Sequence, residues 1–179
     1  MVNKLKGRFI WWNAKGANLN FATPDMLAPP THLYAGSQQI ISSNTLPNEG
    51  FIGLTIFAPG NFTQSKQAML KGRTNYKNFK EMVTNVVLET VEKYLLPGLQ
   101  AHVLFSHLKT PWDMYQELGA EKGNVYGRRL NPDSILKAVS SISSVSNLAV
   151  TSATVGLPGI ATGFNTAALF FEKITGEKI

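Results

Sequence analysis

The chain has 179 residues, 44% hydrophobic and 16% charged, with a formal net charge of +6 and no cysteine. A domain of this length buries about 70% of its unfolded surface, so its core needs no covalent staple, and the lack of cysteine excludes disulfides, thiolate metal sites and cysteine nucleophiles. A charged share below the usual figure of about 25% points to covered surface, and the positive balance points to an acidic partner: anionic lipid, nucleic acid or an acidic protein face.

Lys4, Lys6, Arg8 and Lys15 precede the first acid, Asp25, and enclose Phe9, Ile10, Trp11 and Trp12. Aromatics beside lysines suit a protein resting on an anionic bilayer; as a plain strand, the same apolar run belongs to a core. The run ends at the polar Asn13, too short for the apolar stretch of a secretory signal. Up to residue 60 the pattern predicts strands at 7–12, 31–35 and 51–58, punctuated by Pro24, Pro29, Pro30 and Pro47. Near-continuous apolar character over 51–57 predicts a central strand covered on both faces.

Lys66, Lys71, Arg73, Lys77 and Lys80 form a second basic stretch with no acid between them. Overlapping it, Phe79, Met82, Val83, Val86, Val87, Thr90, Val91, Tyr94 and Leu95 recur at helical spacing and predict a helix over 75–96, stopped by Pro97 and Gly98. Residues 102–108 then read as a strand. Pro111 opens a helical turn through Leu118, and Asn131-Pro132-Asp133 opens another, with Asp133 or Ser134 as cap. A strand over 147–152, a glycine-rich loop and a last helix through 164–174 complete the chain. Thr151, Ser152, Thr154, Pro158, Thr162, Asn165 and Glu172 interrupt this late apolar region, so it offers no run of about 20 apolar residues for a membrane span. The pattern predicts one mixed α/β (α+β) domain over 1–179, with a predominantly antiparallel or mixed sheet, a long amphipathic helix and a carboxyl-terminal helix.

Catalytic constellations are absent from the sequence. His32 stands apart, the predicted strand puts His102 and His107 on opposite faces, and no G-x-S-x-G elbow occurs. No nucleic-acid motif accompanies the lysines, which makes nucleic acid the weakest of the acidic partners. Two glycine-bearing segments carry more. In the first, Thr110-Pro111-Trp112-Asp113 is followed by Gly119, Gly123 and Tyr126-Gly127; Pro111 sets a helix start, Asp113 is placed to accept from its first amides, and Gly123 and Gly127 permit turns at positive φ. In the second, Asn147-Leu148-Ala149-Val150 leads through Gly156-Leu157-Pro158-Gly159 into a small-residue helix, leaving free amides at the helix start.

In this order the segments resemble the end of phytoene desaturases, carotenoid isomerases and retinol-saturase-like reductases. Those proteins carry a TP-x-D turn, a spaced glycine and Tyr-Gly pair, an NLYL-x-G strand, a glycine-proline-glycine loop and a small-residue helix. Residues 30–37, 44–49, 51–59 and 75–100 are similar to the family's preceding strands, link and long helix. Two departures stand out: no G-x-G-x-x-G loop of a βαβ unit occurs, and Ser152 and Ala153 replace the glycine and acid that close the family's late strand. The resemblance implies a truncated flavin-oxidoreductase-like fold in which Gly156, Leu157, Pro158, Gly159 and Ile160 form a vestigial flavin-facing loop. It implies no catalytic residue, no metal and no cofactor for the chain alone; FAD enters only if a partner supplies the dinucleotide-binding domain, and a carotenoid or other pigment is a further ligand it suggests. The function implied is a noncatalytic structural or binding subunit of a membrane or pigment-containing complex, cytoplasmic and peripheral. Partner chains or anionic lipid would meet Lys4, Lys6, Arg8, Trp11, Trp12, Phe164, Phe170 and Phe171. The alternative is one chain of a split FAD-dependent desaturase, saturase or isomerase acting on a long polyene.

Overall fold

A computed structural model of the chain describes residues 9–15, 24–38, 53–124, 145, 148 and 160–177. Met1–Thr110 and Pro111–Ile179 form two compact units. The described elements are mixed α and β: a three-stranded antiparallel sheet and four α-helices.

In the first unit, β1 (Phe9–Asn13), β2 (His32–Gln38) and β3 (Gly53–Phe57) pair in the order β1-β2-β3. Trp12 lies opposite Leu33, and Ile10 and Ile56 flank Ala35. Side chains alternate between faces with period two, so Leu33 and Ala35 are buried on one side with Ile10, Trp12, Leu54 and Ile56 around them. The other partner of this core is the end of α2 and its exit, through Val91, Leu96 and Leu99.

The order corrects the expected central strand. β3 is an edge strand among the described residues, and its Phe57 is 51% exposed. An apolar run has no way of distinguishing two covered faces from one covered face and one aromatic row, because both call for apolar side chains at every position.

Helix α1 (Phe62–Leu70) was not foreseen, since three of its four apolar residues, Ala68, Met69 and Leu70, stand consecutively at its end and trace no helical period. It is set by its cap: the Asn61 side chain accepts from the Gln64 amide at 3.0 Å, supplying one of the four missing acceptors of a helix start. Ser65, fully buried, donates to the Asn61 carbonyl at 3.0 Å. Gly72, at φ 107°, turns the chain from α1 into α2 (Arg73–Tyr94), a conformation that a Cβ disfavours. Phe79 and Val83 of α2 bury against Met26, with Ala68 of α1 alongside.

The buried stripe of α2 is Phe79, Val83, Thr90 and Val91. Met82 and Tyr94, expected on the same face, are more than half exposed. At 100° per residue Met82 falls about 60° beyond Phe79 at the stripe's edge, and Tyr94 lies over Trp12 at the edge of the sheet.

The strand expected over 102–108 does not form. Gln100–His102 is a 3-10 turn, and the segment after it makes no ladder, with Leu104 and Phe105 among the most exposed apolar residues described. Apolar content provides side chains for a strand but no neighbour for its backbone. His102 instead bonds the Gly98 carbonyl through Nδ1 at 2.8 Å, and the segment is anchored at buried Thr110, bonded to the Tyr76 hydroxyl.

In the second unit, α3 (Pro111–Leu118) begins at its proline, as expected. A 3-10 turn at Glu121–Gly123 follows, and α4 spans Ile160–Thr175. The predicted helix opened at 131–133 and running over 135–139, the predicted strand at 147–152 apart from Leu148, and Gly127 lie outside the described residues. Gly123 has φ 70°, and a Cβ there would lie 2.0 Å from the Pro111 carbonyl oxygen. That backbone cannot move without displacing the start of α3.

Gly123→Ala combines a disfavoured φ with an overlap against backbone, and is expected to destabilise the unit by about 2–4 kcal/mol. Chemical denaturation checks this, and an unchanged unfolding midpoint would refute it.

Candidate interaction surfaces

On the sheet face away from α2, register brings Trp11, Tyr34 and Phe57 directly opposite one another across three strands. The Trp11 and Tyr34 rings are 6.0 Å apart between centroids, Tyr34 and Phe57 5.9 Å. His32 stacks on Trp11 at 6.2 Å with 17° between planes, and the Trp11 indole donates to Asn13 Oδ1 at 3.0 Å. Cross-strand pairs of this kind stabilise a sheet by about 0.2–1 kcal/mol each, yet Trp11 remains 64% exposed. The row is a line of mutually tilted rings with exposed Trp11 and Phe57 on either side of half-buried Tyr34.

Trp11 and Trp12, read together in the sequence, therefore separate. Trp12 points into the core and stacks on Tyr94 at 4.7 Å, while Lys93 Nζ stands 5.0 Å from the Tyr94 ring. Lys4, Lys6 and Arg8, expected beside them at a membrane, lie outside the described residues.

In α4, Phe164 (73%), Phe171 and Ile174 are exposed, with Phe170 half-buried. Phe164, Ala167, Phe171 and Ile174 are spaced three and four apart, so they line one stripe of the helix. Gly156, Leu157, Pro158 and Gly159 of the expected flavin-facing loop lie outside the described residues; Ile160 is the first residue of α4.

A shallow cleft of about 490 Å³ is lined by Pro24, Asp25, Asn61, Thr63, Gln64 and Gln67. It contains no nucleophile paired with a base. Gln64 Nε2 donates to Asp25 Oδ1 at 2.6 Å, the Leu27 amide donates to the same oxygen at 2.9 Å, and the Met26 amide donates to Gln64 Oε1 at 2.8 Å. Asn61 Nδ2 donates to the Pro24 carbonyl at 2.9 Å. These bonds tie 24–27 to the start of α1, which places Met26 in its core cluster. The Gln64 amide, and then the Leu27 amide, hold the Asp25 carboxyl below its ordinary value, against a small opposing effect of desolvation.

Among the described residues no three His, Asp or Glu side chains gather as a metal site, and no helix is long and apolar enough to cross a membrane. Lys66, Lys71, Arg73, Lys77 and Lys80 are brought to the α1–α2 hairpin, where Leu70 is 73% exposed. Sequence reasoning missed Tyr34, Phe57 and Leu70 as surface features. Tyr34 was findable, since it alternates with Leu33 and Ala35; the others needed the register and the turn. No protein-family model matches the chain, and neither a curated protein nor a solved structure does.

Because its folded pKa is lowered, Asp25 contributes stability that is present above its unfolded value near 3.8 and lost as pH falls through the folded value. Carboxyl NMR titration should give Asp25 a midpoint below 3.8, and Asp25→Asn should weaken the acid dependence of unfolding in that window. A midpoint at or above 3.8 would contradict the assignment.

Proposed function

We propose that this chain is a noncatalytic binding or structural subunit related to the carotenoid-type flavoenzymes, with a truncated flavin-oxidoreductase-like fold. In this reading it associates with partner proteins of a membrane or pigment-containing complex, peripherally on the cytoplasmic face. The observation that carries the reading is the stripe of Phe164, Phe171 and Ile174, left open to solvent along one side of α4. Contiguous apolar surface of this kind is costly in water and normally marks an interface. The aromatic row of Trp11, Tyr34 and Phe57 supplies a second such surface, suited to a flat or polyene ligand or to another chain.

The split-enzyme reading, in which a companion chain brings FAD to a long polyene, is supported by the sequence of the Gly156-Leu157-Pro158-Gly159 loop. Among the described residues no glycine-rich strand-to-helix turn fits a dinucleotide, so no chemical step is assigned to a flavin. The two readings differ in the colour of the complex isolated with its companion chains: flavin absorption there favours the split enzyme, and its absence favours the subunit. The subunit reading expects a colourless protein when the chain is purified alone, and a flavin spectrum from the chain by itself would overturn it.

Its interface is tested separately. Phe164→Asp/Phe171→Asp should lower hydrophobic-dye binding severalfold and reduce self-association in light scattering. A wild-type chain that is a clean monomer at high concentration and binds no dye would remove the basis for the interface.

A further inference from the structure

We propose that the α1–α2 corner is a docking surface for anionic lipid, in which Leu70 enters the boundary between headgroups and acyl chains while Lys71, Arg73 and their basic neighbours face lipid phosphates. The proposal rests on the peripheral-membrane part of the reading above and assigns it to a different part of the chain from the amino-terminal lysines.

Three observations converge on the corner. The first is exposure: every residue from 70 to 75 is exposed, and Leu70 is 73% so, although Ala68 two residues earlier packs in the core. An isolated exposed leucine needs no explanation. One standing at the turn of a helical hairpin, beside exposed Lys71 and Arg73, has the arrangement of an interfacial anchor.

The second is charge. From Lys66 to Lys80 the chain carries five bases and no acid, and the first acid, Glu81, offsets one of them through an ion pair with Lys77 at 3.8 Å. The Asp25 carboxylate is bonded to Gln64 near the opposite end of that helix. Positive potential is therefore concentrated at the corner, where it complements an anionic plane. The rings within this basic stretch, Tyr76 and Phe79, are half-buried and buried, and exposed rings stand on the sheet, which favours lipid over single-stranded nucleic acid.

The third is shape. Gly72, at φ 107°, makes the turn through its amide's bond to the Met69 carbonyl at 2.9 Å, and a Cβ built on it meets nothing within 4 Å. The space outside the turn is open to an approaching surface. Behind it, Phe79 and Val83 packed on Met26 hold the hairpin, so the corner is presented without an ordering cost on binding.

Flotation of the whole chain with vesicles tests the proposal, since aggregates sink while bound protein rises. On an equimolar mixture of phosphatidylcholine and phosphatidylglycerol at low salt, Lys71→Gln/Arg73→Gln should lower partitioning about 25-fold, at roughly fivefold per charge. Lys4→Gln/Lys6→Gln/Arg8→Gln should retain most of the binding, and phosphatidylcholine vesicles alone should bind weakly. The chain has no cysteine, so Leu70→Cys carries a single environment-sensitive fluorophore, whose emission should shift to the blue on the anionic vesicles. If the amino-terminal variant loses flotation and the Lys71/Arg73 variant keeps it, the corner is overturned and the peripheral reading survives. If the wild-type chain fails to float on anionic vesicles, both fall. Equal binding to neutral and anionic vesicles, or an unshifted label on bound protein, also overturns the corner.

Discussion

The packing of Val91, Leu96 and Leu99 against Leu33 and Ala35 is the contact on which the first unit depends. Leu33, Ala35 and Val91 are almost wholly removed from solvent, and full burial of a leucine or valine side chain contributes about 1.5–3 kcal/mol. Three short antiparallel strands have little independent stability; covered on one face by the end of α2, they have a core. The same contact fixes which face is covered. Once Leu33 and Ala35 point to the helix, alternation sends Tyr34 the other way, and register then sets Trp11 and Phe57 beside it.

Helix α2 serves two clusters at once. Its later turns close the sheet core, while Phe79 and Val83 in its earlier turns meet Met26, whose position depends on the bonds of Asp25, Gln64 and Asn61. Val87 packs against both clusters, so the two are continuous along one helix. Buried hydroxyls along this path are satisfied locally: Thr90 donates to the Val86 carbonyl at 2.8 Å, and Ser65 bonds the first turn of α1. An unsatisfied hydroxyl at either place would cost about 1–3 kcal/mol. A firmly held helix with polar, basic early turns is what allows the α1–α2 corner to project as a defined surface.

The exposed surfaces are unlike one another in chemistry. The sheet presents rings, α4 presents an aliphatic and phenyl stripe, and the hairpin presents cations around one leucine. An aromatic row accepts flat or extended apolar matter, a helical stripe accepts another helix or a sheet, and a cationic corner accepts an anionic plane.

The sequence by itself determined the identity of most elements. The three strands in the first 60 residues, the long helix, the proline-started α3 and the last helix were all legible, because local periodicity and capping or breaking residues are local properties. The cap at Asn61 was not read, and α1 has too weak an apolar period to be found without it. Tertiary structure alone decided that 102–108 finds no partner strand, that β3 lies at an edge, that Met82 falls outside the buried stripe and that adjacent Trp11 and Trp12 lie on opposite faces. Each of these depends on which backbone or side chain arrives from a distant part of the chain, and no local pattern carries that information.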